Sequence, residues 1–199
     1  MFTRLLTFKG TTDIDGGVRY LREEVLPVLH AQRGYQGITA SGDRSRNVFG
    51  ILSLWENESD RAASDSALGK ARQEAVKIVG GDLTVENLEE VVSEIDRPII
   101  AGCGLFVTRV SMDPSAVEAN IEFFRNEIVP EIKSQSGFCG LRNMVDRATG
   151  RAVVGSVWEN REGAEHSLAT LPERRARAEQ RGVRFDETEI REILFAELK

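Results

Sequence analysis

The chain has 199 residues, 41% of them hydrophobic and 29% charged, with a formal net charge of −6. That is the composition of an ordinary globular protein; it argues against a nucleic-acid binder, and no run approaches the ~18 apolar residues of a membrane span. The cysteines, Cys103 and Cys139, form no CxxC pair, and the N-terminal MFTRLLTFKGTT lacks a basic region followed by an apolar run. Both features predict a cytoplasmic protein without a disulfide framework or signal peptide.

Phe2 to Phe8 is a β-rich run and predicts the first strand. Gly17 to Gln32 carries Val18, Leu21, Val25 and Leu29 at helical spacing, with Pro27 inside it. That proline lacks a donor and is expected to kink the helix or end its first part. Gly34 closes the helix. Gln36 to Ser41 and Asn47 to Trp55 predict a hairpin around Asp43-Arg44-Ser45-Arg46. Asn57 is placed to cap a second helix, which Gly69 is expected to break. Glu86 to Ile95 begins helix-like and turns strand-like at Glu90-Val91-Val92, read as the fourth strand.

After the linker Asp96 to Gly104 the same series starts again. Leu105 to Met112 is a strand, and Asp113-Pro114 opens a helix carrying Val117, Ile121, Phe124, Ile128 and Ile132, with Pro130 inside it and Gly137 closing it. Cys139 to Val145 and Ala152 to Trp158 form the second hairpin; Asn160 caps a helix interrupted at Pro172, and Ile193-Leu194-Phe195 ends the series. Trp55-Glu56-Asn57 and Trp158-Glu159-Asn160 are the same tripeptide 103 residues apart, and that offset also pairs Pro27 with Pro130, Gly34 with Gly137 and Gly69 with Pro172. The chain is a tandem duplication: a first repeat over 1–96, a linker over 97–104 and a second repeat over 105–199. Each repeat reads βαββαβ, the ferredoxin-like α+β unit, with both helices on one sheet face. The third strand is nevertheless apolar on both faces, with Phe49, Ile51 and Trp55 alternating with Val48, Leu52 and Leu54. Its bare face needs a partner, and the other repeat supplies one. The expected fold is therefore an intramolecular pseudo-dimeric α+β barrel with helices outside, in a monomer.

Three features together carry a resemblance: the βαββαβ unit, the Gly-aromatic-x-Gly before the second strand (Gly34-Tyr35-Gln36-Gly37 and Gly137-Phe138-Cys139-Gly140), and the Trp-Glu-Asn leading into the second helix. Over nearly the whole chain, twice, they resemble the antibiotic-biosynthesis monooxygenase type of dimeric α+β barrel. The resemblance implies a cofactor-independent monooxygenase-like protein acting on or binding a small aromatic or polyketide-like molecule. The alternatives are a non-catalytic small-ligand or haem-binding barrel, or a purely structural barrel, because fold does not fix function.

The resemblance places Trp55 and Trp158 in a pocket between sheet and helices; the residues alone equally suit large core anchors. It also implies a pocket histidine on the second helix. His166 follows Trp158 by eight residues, against nine or ten in similar enzymes, and stands where the first repeat has Ala63; it reads either as that histidine or as an exposed one beside Glu162 and Glu165. Arg4 and Arg109 lie midway along the first strands, each after a threonine, Thr3 and Thr108. They suit either an anion or enolate contact or a snorkelling role at the rim. The expected catalytic residues are thus His166 and Arg109, and the expected ligand contacts Trp158, Trp55, Arg4 and Thr108, with the second repeat the more active. His30 and His166 alone make no multi-histidine metal site, so no cofactor is expected, haem being the alternative. Arg174-Arg175-Ala176-Arg177, flanked by Glu173 and Glu179, reads as a solvated helix face.

Overall fold

Residues 1–199 are described by a computed structural model, and the duplicated pattern appears in it as a duplicated series of elements. The first series is β1 (Phe2–Lys9), α1 (Ile14–Tyr20), a π-helical turn (Leu21–Val25), α2 (Leu26–His30), β2 (Tyr35–Asp43), β3 (Val48–Trp55), α3 (Glu58–Val79) and β4 (Asp82–Ile95). The second is β5 (Gly104–Ser111), a 3₁₀ turn (Pro114–Ala116), α4 (Val117–Phe123), a π-helical turn (Phe124–Ile128), α5 (Val129–Lys133), β6 (Phe138–Asp146), β7 (Arg151–Trp158), α6 (Arg161–Ala169), α7 (Leu171–Glu179) and β8 (Arg184–Leu198). The strands are hydrogen-bonded in the closed order β1-β3-β2-β8-β5-β7-β6-β4. This is the pseudo-dimeric α+β barrel of two ferredoxin-like units that the repeat predicts.

By compactness the chain divides into one unit of Met1–Asn87 with Ile193–Lys199 and a second of Leu88–Glu192. The dividing line passes through β4 and β8. These strands run to 14 and 15 residues, so the stretch that looks helical from Glu86 is extended as well. In the first unit β3 is central, with Phe2↔Trp55 through Lys9↔Val48 on one side and β2 on the other. Leu6, Phe8, Ile38, Phe49 and Trp55 pack there against Leu21, Leu29, Leu68 and Val79 of the helices. In the second unit β7 takes the same place, Gly104↔Trp158 through Ser111↔Arg151, and a bulge between Phe138 and Gly140 repeats that between Tyr35 and Gly37.

The prolines act as expected in the first helix of each series. Pro27 cannot donate to the preceding turn, and the chain widens into a π turn just before it, where Leu26 N–H bonds to the Leu21 carbonyl. Val129 N–H bonds to the Phe124 carbonyl ahead of Pro130 in the same way. Gly34 and Gly137 then take positive φ, 71° and 80°, to leave the helix. Asn57 and Asn160 cap the second helices, accepting from Asp60 N–H at 2.9 Å and Gly163 N–H at 3.0 Å.

The paired breakers differ. Pro172 does interrupt its helix, dividing α6 from α7 at Thr170. Gly69 does not: α3 runs unbroken over 22 residues. The reason is energetic. Glycine keeps its N–H and costs only about 1 kcal/mol, which the burial of Leu68, Ala75 and Val79 on the same helix offsets, whereas proline costs about 3. A Cβ built at Gly69 meets no atom within 4 Å. Gly69→Ala is therefore expected to stabilise the protein by about 0.5–1 kcal/mol in urea unfolding; a loss of stability would show that the helix is strained there.

Candidate functional site

The face of each sheet that meets its helices is set by strand register. Arg4 lies opposite Ser53 in β3, and Phe106 lies opposite Ser156 in β7. The first strands thus correspond at an offset of 102, one less than the rest of the repeat. This corrects the pairing of Arg4 with Arg109. Arg4 turns toward α3, while Arg109 falls on the face of β5 opposite that of Phe106 and Thr108, and lies 3.8 Å from Glu187.

Both tryptophans are fully buried, and each indole N–H donates to the serine two residues earlier, Trp55 to Ser53 at 3.0 Å and Trp158 to Ser156 at 3.1 Å. Tyr35 and Phe138 pack edge-on against them. Neither tryptophan lines a cavity directly. Their serines do, one in each unit.

The first unit's cavity measures about 50 Å³ and the second unit's about 100 Å³, several times the ~10–15 Å³ that a water needs. One repeat position explains much of the difference. Phe49 fills the first cavity against Phe8, ring centroids 6.0 Å apart, and Ala152 stands at the matching place in the second. The α1 helix also comes closer, since a Cβ on Gly17 would lie 2.7 Å from Val79 and 3.0 Å from Phe49. The matching residue in the second unit is Asn120, which lines the larger space.

That larger space is walled by Phe106, Phe123, Phe124 and Phe185 together with aliphatic side chains. Arg181 and Arg175 stack over Phe123 and Phe185 at 4.5 and 5.0 Å. Its polar groups are Thr108, Ser156, Asn120, Asn143, Ser167 and Arg174. Asn120 and Asn143 are 7% and 6% exposed, and neither Oδ1 has a hydrogen-bond partner. Buried polar atoms are almost always bonded, so two unpartnered carboxamide oxygens in one cavity mark it as unlike ordinary core.

Arg174 is 6% exposed, which corrects the reading of its segment as a solvated helix face; Arg175 and Arg177 do stay outside, paired with Glu179 and Glu131. Its guanidinium donates to the Ser167 carbonyl at 2.8 Å, to Ser167 Oγ at 3.3 Å and to Thr170 Oγ1 at 3.0 Å. In the first unit Ser64, the repeat partner of Ser167, receives Arg4 instead, at 2.9 Å, with the Arg61 carbonyl at 2.7 Å. The two guanidinium groups approach the same serine from opposite walls, one from the strand and one from the helix. Burial lowers the pKa of both arginines. Only Arg4 has a carboxylate against it, Asp65 at 2.9 Å.

Of the residues expected at the site, Thr108 lines the second cavity and Arg4 the first, whereas Trp55, Trp158, Arg109 and His166 line neither. His166 is on the exposed face of α6, one residue before Ser167, which is fully buried. Haem does not fit the larger cavity: no His, Cys or Tyr lines it, and Met112 is the single lining side chain with a ligating sulfur. No group of three or more His, Cys, Asp or Glu side chains is placed to hold a metal. The two free thiols are buried, and burial, with Cys103 next to it, pushes Cys139 up to about 11, so Cys139 is no thiolate nucleophile at neutral pH. No helix is long and apolar enough to cross a membrane.

Asp65→Asn strands the buried Arg4 guanidinium and is expected to cost about 1–3 kcal/mol. Arg4→Met leaves Asp65 half-exposed and still 2.9 Å from Arg72, and is expected to cost less than about 1 kcal/mol. Urea midpoints in the reverse order would contradict this assignment of Arg4.

No protein-family model matches the chain. It is similar to the uncharacterized proteins Rv2557 and Rv2558 of Mycobacterium tuberculosis, 26% identical over 168 residues (84% of this chain, 75% of the relative) and 27% identical over 165 residues (82% and 70%). Among solved structures it is similar to a candidate monooxygenase of Fusobacterium nucleatum, with a TM-score of 0.72 at 13% identity, covering 100% of this chain and 94% of the other. An anthrone oxidase-like protein matches with a TM-score of 0.70 at 15% identity, covering 99% and 92%. A heme-degrading enzyme of Listeria monocytogenes matches at 0.55 and 8% identity, covering 96% and 99%. At these identities the likeness is one of fold, and the chain has the ferredoxin-like barrel fold of the antibiotic-biosynthesis monooxygenase type.

Proposed function

We propose that this chain is a small-molecule-binding barrel of the monooxygenase-like kind, with one working site, the cavity of the second unit, that holds a small aromatic molecule without a bound cofactor. The observation that carries this reading is the pair of carboxamide oxygens without a donor, Oδ1 of Asn120 and Oδ1 of Asn143, in a cavity with aromatic walls. A cavity kept for packing alone gains nothing from buried polar atoms that bond to nothing. At the matching positions the first unit has Gly17 and Ala40, and its cavity is smaller.

The finer reading is a cofactor-independent oxygenase. In that chemistry a ring CH₂ becomes C=O, one atom of O₂ entering the product and the other leaving as water with the two hydrogens. The cavity constrains how this could run. Arg174 is its single ionisable lining group and stays protonated, so no side chain there takes a proton. A substrate turned over at this site must itself be acidic enough to ionise in water, with the protein stabilising the resulting anion.

Calorimetric titration with 1-naphthol tests the binding reading, and oxygen uptake with anthrone tests turnover. Ala178→Phe, which fills the second cavity, is expected to weaken 1-naphthol binding roughly tenfold or more, about 1.4 kcal/mol. Ala71→Phe in the first cavity, and His166→Ala, are expected to leave it unchanged. Binding lost in Ala71→Phe and kept in Ala178→Phe would put the site in the wrong unit, and no binding at all would leave the structural reading.

A further inference from the structure

We infer that the ligand of the second unit's cavity is an aromatic anion, its ionised oxygen held by Arg174 and a second, hydrogen-bond-donating group facing the carboxamide of Asn143. This rests on the binding reading and adds the chemical class of the ligand.

The argument begins with charge. A buried cation is costly unless something compensates it. Arg4 is compensated by Asp65 in the first unit, where the cavity is small. Arg174 forms no ion pair. Glu131 and Glu173 act on it only from beyond ion-pair range, and Glu131 is already bonded to Arg177. What holds Arg174 is neutral: one carbonyl and two hydroxyls near the C-terminal end of α6. The break at Pro172 contributes here, because a helix that ends leaves its last carbonyls without intrahelical donors and directs the negative end of its dipole at a cation. These contacts fix the guanidinium in place and leave its charge uncancelled beside apolar walls. An anion entering that space meets a charge-assisted donor in a setting of low dielectric, where such bonds are strongest.

The second group follows from Asn143. Its Oδ1 is buried without a donor. An acceptor in that condition calls for a ligand that carries an O–H or N–H. The four phenylalanines that wall the cavity suit a flat ring between the two polar ends. An aromatic carboxylate or phenolate with a further hydroxyl meets all three demands. No such combination exists in the first unit, where Ala71 replaces Arg174 and Ala40 replaces Asn143.

The test is calorimetric titration of the full chain with 3-hydroxybenzoate, with its neutral isostere 3-hydroxybenzamide, and with benzoate. Wild-type protein is expected to bind 3-hydroxybenzoate at least roughly tenfold tighter than the amide. Arg174→Met should erase that preference and Arg174→Lys retain part of it. Asn143→Leu should weaken 3-hydroxybenzoate and leave benzoate nearly unaffected, since benzoate has no donor to lose. If Arg174→Met does not fold, the wild-type acid–amide comparison and Asn143→Leu still decide. Equal binding of acid and amide, or an acid preference that survives in Arg174→Met, overturns the inference while the binding reading stands. Absence of binding by every probe overturns both.

Discussion

A guanidinium buried between a sheet and a helix needs acceptors for its donors and a balance for its charge, and each unit of this chain offers an acceptor in the same way. Ser64 and Ser167, at matching positions of the repeat, both accept from a buried arginine. The second demand separates the units. Arg4 comes from a strand and reaches Asp65; Arg174 comes from a helix and reaches neutral oxygens alone. With Phe106 in the place of Arg4 and Arg174 in the place of Ala71, the side chain has in effect moved to the opposite wall. The move keeps the contact to the serine and frees the charge from its carboxylate.

The rest of the difference comes from small changes in volume. The first unit closes its space with Phe49 and brings α1 close at Gly17. The second opens it with Ala152 and puts carboxamides at Asn120 and Asn143. Around these positions the frame is conserved between units: the indole-to-serine bond, the bulge before the hairpin, the π turn ahead of the proline and the asparagine cap all appear twice. The same frame thus carries a small cavity in one unit and a larger one with two carboxamides in the other.

The fold was legible because its signals are local and repeated. Trp-Glu-Asn, the paired prolines and the paired glycines each fix a backbone event, and their common spacing fixes the duplication. The break expected at Gly69 failed because a glycine weakens a helix without removing a bond. The site was much less legible. Arg109 looked equivalent to Arg4 because each follows a threonine midway along its strand, but the register makes Phe106 the counterpart of Arg4, and a step of three residues along a strand puts a side chain on the other face. Arg174 sits among charged neighbours, and exposed Arg175 and half-buried Arg177 hid the buried residue beside them. His166 drew notice for its chemistry, while Ser167 beside it has the buried position. A signal was present all the same: Asn143 against Ala40, Asn120 against Gly17 and Arg174 against Ala71 are each a polar residue facing a small one across the repeat.

The central claim is that the second unit alone keeps an uncancelled buried cation at a ligand cavity. The most direct measurement is a crystal structure of the protein soaked in 4-bromobenzoate, with data collected at the bromine edge. The account predicts an anomalous peak between the phenylalanines of the second unit, with the carboxylate on Arg174, and none beside Arg4. A peak beside Arg4, or bromine confined to the protein surface while Arg174 stays bonded to Ser167 and Thr170 alone, would contradict it.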